Sequence, residues 1–326
     1  DLGRANADEN NVDDIARARP NQAVVDYVLS VADRWLGEFD IDGFRLDVPN
    51  EVPFWFWKLF NARCKSLKPD CYLVGELWGN AGRWISPDCF DATMNYKYFR
   101  DPVMDFFGKG AIGAAAFDQR LGPGRFEYPP QSVAVMMNLI DSHDTIRFLT
   151  STRDVRRLML AAMFSMSYVG MPTIWYGDEV GMLGGKDPDC RRPFEWRFEG
   201  DPRKVALREF YGTITRFRRD HEVMRRGEFT TLAAEGSAYA FARTLGQEVV
   251  VAVFNAGPAP ATLLLAGESI RALLPVAAPT IARVVVGPDS FPRAAAGPLA
   301  TGGAVDLGGE TVQISLPGLS AVWLQN

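Results

Sequence analysis

The stretch Ile41-Asp42-Gly43-Phe44-Arg45-Leu46-Asp47 decides the reading of the fold. It is a short, largely apolar run that ends on a carboxylate, the pattern of a buried strand that stops at a polar surface. Working outward, Val24, Val28, Val31, Ala32 and Trp35 recur at helical spacing before it, with Pro20 ahead of them and Gly37 behind. After it, Pro53 opens a second helix, rich in Trp and Phe, that stops before Pro69. Residues 71–74 then read as a strand ending in Gly75-Glu76.

The alternation continues along the chain. Residues 90–96 predict a weaker strand, and residues 108–124, rich in Gly and Ala, fit either helix or loop. Residues 133–140 predict an apolar strand ending at Asp141-Ser142-His143-Asp144. Residues 153–166 predict a helix, with Gly170 and Pro172 breaking the pattern, then a strand over 173–176 and a long helix over 201–219. Strands alternating with helices predict a parallel sheet with helices outside it. From about Gly227 the character changes. Short strand-like segments at 238–244, 248–254, 261–265, 281–286 and 321–324, separated by turn residues, predict a small all-β domain of the sandwich type. The expected domains are therefore residues 1–227 and 228–326. Residues 1–19 read as polar and irregular, and residues 291–303, rich in Pro, Gly and Ala, as a surface loop.

Composition removes several classes of function. The 326 residues are 47% hydrophobic and 23% charged, an ordinary globular balance. Thirty-five Lys and Arg against 40 Asp and Glu give a formal charge of −5 and no basic run, which argues against nucleic acid and against an anionic membrane surface as partners. No apolar stretch approaches the roughly 18 residues of a membrane span. The four cysteines form no CxxC pair, and with only two histidines no metal-binding pattern stands out, so no metal site is expected in these residues. The chain begins at Asp1, which leaves its compartment open, with the cytoplasm as the default expectation.

Polar groups collect where the predicted strands end: Asp47, Glu76, His143 with Asp144, and Asp178 with Glu179. In a closed parallel α/β barrel these ends share one face, which carries the active site. A helix N-cap or a surface charge would explain any one acid alone. Several together fit glycoside hydrolysis, in which one carboxylate attacks the anomeric carbon and another donates a proton to the leaving oxygen. Arg45, two residues before Asp47 on one strand, points the same way.

The segments Gly43-Phe44-Arg45-Leu46-Asp47-Val48-Pro49-Asn50-Glu51, Gly75-Glu76-Leu77-Trp78 and Asp141-Ser142-His143-Asp144 resemble, in order and spacing, three signature motifs of the α-amylase family of glycoside hydrolases. Tyr176-Gly177-Asp178-Glu179 and Gly184-Gly185-Lys186-Asp187-Pro188-Asp189-Cys190-Arg191 are similar to that family's last barrel strand and its loop. Asn50-Glu51 and the latter loop look most like the neopullulanase, cyclomaltodextrinase and maltogenic amylase branch. The resemblance implies a (β/α)8 TIM barrel, of which the C-terminal five strands are present here, followed by the β-sandwich. It implies Asp47 as nucleophile, Glu76 as general acid/base and Asp144 as stabiliser of the transition state. Arg45 would orient Asp47, and His143 would bind the same sugar as Asp144. Trp78, Asn50 and Glu51 would line the acceptor side, and Asp187 and Arg191 the donor side. The alternative for Trp78 is a core aromatic, and for Asp187 with Arg191 an exposed ion pair.

The expected substrate is an α-1,4-linked glucan, with maltooligosaccharides and cyclodextrins as forms of it, cleaved with retention. Glycosyl transfer by the same site and a non-catalytic subunit on an amylase fold are the alternatives. The family's Asp-x-x-x-Asn-His motif and its usual calcium ligands fall outside this sequence. The resemblance therefore implies upstream barrel strands, in the same or a companion chain, with any calcium carried there. It also leaves a homodimer open. His221, near the end of the long helix, reads as solvated or capping.

Overall fold

The computed structural model describes residues 19–274, 281–292 and 299–326. The polar opening through residue 18, and residues 293–298 of the expected surface loop, lie outside the described residues. By packing the chain divides into two compact units, one running through Lys97 with Arg125–Met137 added, the other Tyr98–Gly124 with Asn138–Asn326.

In the first unit, helix α1 (Gln22–Ala32) runs on into a π-helical turn (Asp33–Glu38) before strand β1 (Gly43–Leu46). Helix α2 (Phe54–Leu67) follows, then β2 (Tyr72–Gly75) and the two-residue β3 (Ala92–Thr93). The three strands form one parallel sheet in the order β1-β2-β3. Helix α2 buries Phe56, Trp57, Phe60 and Cys64, one apolar face at the 3.6-residue period. The register of β1 on β2 pairs Leu46 with Gly75. The next residues in that register are Asp47 and Glu76, and the Glu76 N–H donates to the Leu46 carbonyl at 2.9 Å. Adjacent strands lie about 4.8 Å apart, so the ladder alone brings these two acids side by side.

In the second unit the ambiguous Gly- and Ala-rich segment resolves as helix α3 (Ala114–Phe126), with Pro123 inside it. Strand β4 (Met137–Leu139) begins four residues later than expected, because Pro130–Val133 forms a helical turn. Helices α4 (Phe148–Thr152) and α5 (Val155–Ser167) follow, the second capped by the Asp154 side chain. Strand β5 (Met171–Thr173) neighbours β4 and lies two residues before the expected 173–176. Trp175 and Tyr176 have strong strand propensity, but their rings lie over the Arg147 guanidinium instead. The long helix α6 (Pro202–Asp220) is capped by Asp201, with the short α7 (Glu222–Arg226) after it.

The β-domain forms a six-stranded antiparallel sheet of β6 (Glu228–Glu235), β7 (Ala238–Leu245), β8 (Glu248–Asn255), β10 (Ile281–Val286), β11 (Ala304–Asp306) and β13 (Ser320–Gln325). A two-stranded sheet of β9 (Ala261–Ala266) and β12 (Thr311–Leu316) accompanies it. The period of two assigns each face. Ala238, Ala240, Ala242, Val249, Val251 and Val253 join Leu263, Leu265, Val312 and Ile314 in the sandwich core. The intervening Tyr239, Phe241, Val250, Ala252 and Phe254 instead join Phe164, Trp323 and the helical residues of the same unit.

Two buried arginines stitch this second unit together. Arg218 donates to the carbonyls of Met166, Tyr168, Gly170 and Met224, and Arg243 to those of Ser167, Met224 and Gly227. Met166 and Ser167 close α5, where a cation complements the helix dipole. Burial pulls both guanidinium groups down, Arg218 to about 10 and Arg243 to about 9. Both remain charged at neutral pH, so the carbonyls must offset the cost of desolvating them. Arg243→Met is expected to destabilise by about 3 kcal/mol in a denaturant titration, with Arg243→Lys recovering only part. A loss under about 0.5 kcal/mol would show that these contacts are incidental. His221 occupies the C-cap position of α6, one of its two expected roles, and its ring also stacks on Phe217 at 4.2 Å and meets Glu248 at 2.6 Å, because β8 runs beside the end of α6.

Candidate active site

The first unit carries Arg45, Asp47, Asn50, Glu51, Glu76 and Trp78. Arg45 Nη1 donates to Asp47, and its Nη2 lies 2.8 Å from Glu76 Oε1, an ion pair without an aligned hydrogen bond. One guanidinium therefore touches both acids. Glu76 is buried and Asp47 is largely exposed. Gly75 is required just before Glu76, since a Cβ there would meet the Phe90 ring at 2.7 Å.

Val48, next to Asp47, holds φ 39° and ψ 51°, a left-handed conformation rarely accepted by a β-branched residue. Pro49 behind it disfavours the right-handed helical basin. In this conformation the Val48 N–H donates to Glu76 Oε2 at 3.1 Å. Trp57 Nε1 anchors the turn from below through the Pro49 carbonyl at 2.8 Å. Sequence reasoning missed Val48, for its contribution is a backbone N–H; the Val-Pro dipeptide was the one available signal. Asn50 and Glu51 lie exposed in the following 3-10 turn. Trp78 is 49% exposed and stacks on the buried Tyr96, with centroids at 3.8 Å and planes at 9°. One ring face is thus packed, and the core alternative does not describe it.

The second unit carries His143, Asp144, Asp187 and Arg191, and brings all four together. His143 Nε2 is 3.0 Å from Asp144 Oδ2, and Arg191 Nη2 is 3.1 Å from Asp144 Oδ1. Arg191 Nε donates to the His143 carbonyl at 3.0 Å and pairs with Asp187 at 2.8 Å. The i,i+4 ion pair is present, and it is tied into the His143–Asp144 turn. Cys190, buried, donates its thiol to the same His143 carbonyl at 2.8 Å. Gly184 permits this approach of the two loop ends, since a Cβ there would meet the Asp189 carbonyl oxygen at 2.7 Å.

Behind the turn lies a fully buried Arg147. It donates to the carbonyls of Cys190 at 3.1 Å and Tyr176 at 2.8 Å, and to Asp178 Oδ1 at 3.2 Å. Neither Arg147 nor Asp178 counted among the expected site residues, because burial at a strand end is invisible in residue type alone. Among the described residues no helix is long and apolar enough to cross a membrane, and no group of three or more His, Cys, Asp or Glu is placed to hold a metal ion.

Residues 8–226 match the family model of the α-amylase catalytic domain, and the chain belongs to the α-amylase family of glycoside hydrolases. It is similar to neopullulanase 2 of Thermoactinomyces vulgaris, 44% identical over 253 residues, covering 76% of this chain and 43% of the relative. It is 42% identical over 236 residues to a cyclomaltodextrinase of Thermoanaerobacter pseudethanolicus, covering 72% of this chain and 41% of that one. A solved cyclomaltodextrinase superimposes with a TM-score of 0.80 at 35% identity, covering 93% of this chain and 49% of that structure. The (β/α)8 barrel class and the appended β-sandwich stand with this match. The chain spans about half the length of the relatives it matches, or less.

Proposed function

We propose that these residues form the C-terminal part of an enzyme that hydrolyses α-1,4-glucosidic bonds in maltooligosaccharides, cyclodextrins or related glucans with retention of configuration. The observation that carries this reading is the single Arg45 guanidinium touching Asp47 and Glu76 at adjacent strand ends. Retaining enzymes need their two carboxyl groups about 5–5.5 Å apart, close to the spacing of neighbouring strands.

In the proposed cycle an Asp47 oxygen attacks the anomeric carbon while Glu76 gives its proton to the departing glycosidic oxygen. The C–O bond to the leaving sugar breaks and a glycosyl ester on Asp47 forms. Glu76, now a carboxylate, takes a proton from water, whose oxygen attacks the anomeric carbon and releases Asp47. Arg45 and the Val48 N–H hold the two acids in place. Asp144 and His143 bind hydroxyls of the reacting sugar, with Asp187 and Arg191 on its donor side. Trp78 offers a ring face, and Asn50 and Glu51 polar groups, to the acceptor. The upstream barrel strands, with any calcium, are proposed to come from the same or a companion chain.

The test is hydrolysis of a chromogenic maltooligosaccharide, with and without an upstream barrel segment. Turnover that depends on Asp47 is the expected result. No turnover on any α-glucan with the barrel complete would overturn the reading.

A further inference from the structure

The second unit holds a carboxyl pair that the reaction does not use. Asp141 and Asp178 are 1% and 2% exposed, and their carboxyl groups neighbour each other. One oxygen of each has an ordinary partner: Asp141 Oδ2 accepts from the Phe148 N–H at 2.6 Å, and Asp178 Oδ1 from Arg147. The other oxygens, Asp141 Oδ1 and Asp178 Oδ2, are buried and find no donor among the described residues. Two neighbouring ionised carboxylates would repel, and nearly all buried polar atoms are hydrogen-bonded. A proton between them removes both difficulties.

We propose that Asp141 and Asp178 share one proton and, with Arg147, form a buried unit of one negative and one positive charge that positions the His143–Asp144 turn. Asp141 opens that turn. Arg147 reaches Asp178 on one side and the Cys190 carbonyl on the other, and the Cys190 thiol in turn holds the His143 carbonyl. The sharing keeps the pair at the single negative charge that Arg147 balances. The other charged and titratable groups facing the pair are Arg100, Glu179 and the buried Tyr211 hydroxyl. Burial first, and then the neighbouring Asp141, raises Asp178, while burial raises Asp141. Both are positioning residues, and their effect on sugar binding rests on the function proposed above.

The sign of the pH dependence follows. The folded state holds a proton that the unfolded chain releases near the ordinary Asp range, so the stabilisation is fully present below that range. It is lost as pH rises through the raised titration of the folded pair.

Infrared difference spectroscopy on the full-length protein reads this proton without substrate. At neutral pH the wild type is expected to show the C=O stretch of a protonated carboxyl, and Asp178→Asn and Asp141→Asn each to lose it. In either variant the amide N–H replaces the shared proton and the remaining carboxylate balances Arg147. Each is therefore expected to keep Tm within about 3 °C and KM for a maltooligosaccharide within about three-fold. The double variant leaves Arg147 without a counter-charge, and is expected to lose about 10 °C in Tm and to raise KM about ten-fold. The fall in stability as pH rises from the ordinary Asp range to the folded titration, and a rise in KM where the folded pair loses its proton, should be present in the wild type and absent from Asp178→Asn. A wild type without the band, or single variants that misfold or lose as much as the double, would overturn the proposal. If the wild type turned over no glucan, the band and the Tm profile would still decide the proton, and only the functional reading would fall.

Discussion

Asp47→Asn is expected to lower kcat/KM on a maltooligosaccharide by roughly 10⁴-fold or more while sugar binding persists. The amide has the shape of the carboxylate but cannot form the glycosyl ester. Asp47 is exposed at the end of β1, and its contact to Arg45 spans only two residues. The substitution removes a nucleophile without opening a cavity, so folding should be little changed. Steady-state kinetics give the rate, and calorimetry of the same variant with a maltooligosaccharide gives the binding. A variant within about ten-fold of wild type would remove Asp47 from its proposed role.

Glu76→Gln is expected to reduce turnover of an unactivated glucan by roughly 10²–10⁴-fold, the usual worth of a positioned general acid. The deficit in forming the ester should shrink sharply on an aryl glycoside whose leaving group needs no proton. The second step still lacks its base, so the glycosyl ester should accumulate. Gln keeps an oxygen to accept from the Val48 N–H, so the 3.1 Å contact seen with Glu76 can survive. An equal deficit on activated and unactivated substrates would point to displaced geometry and away from a lost proton.

Much of this site was legible in the sequence, for a physical reason. A parallel strand buried on both faces is an apolar run, so the first polar residue after it marks the strand end. Asp47, Glu76 and the Asp141–Asp144 turn all announce themselves this way. The sandwich strands β7 and β8 were legible by their composition and turn residues, and the structure shows each face of them used by a different core. What sequence hides is whatever depends on neighbours distant in the chain. Val48 adopts a left-handed conformation that nothing in its side chain requests. Asp178 reads as an acid after the strand expected at 173–176, and its burial against Asp141 arises only when residues 141 and 178 meet. Strand β5 lies earlier than its propensity suggests because the Trp175 and Tyr176 rings cover Arg147, itself far away in sequence. The ring contacts of His221 are hidden for the same reason, its partners Glu248 and Gln325 lying on β8 and β13.

The glycosyl ester itself is the most direct test of the proposed chemistry. Glu76→Gln would be incubated with an activated maltosyl glycoside, quenched in acid, digested and read by mass spectrometry. The expected result is a maltosyl adduct on the peptide that carries Asp47, located at Asp47 by fragmentation. An adduct on a different residue, or turnover with no adduct and an inverted first product, would contradict a retaining mechanism built on Asp47 and Glu76.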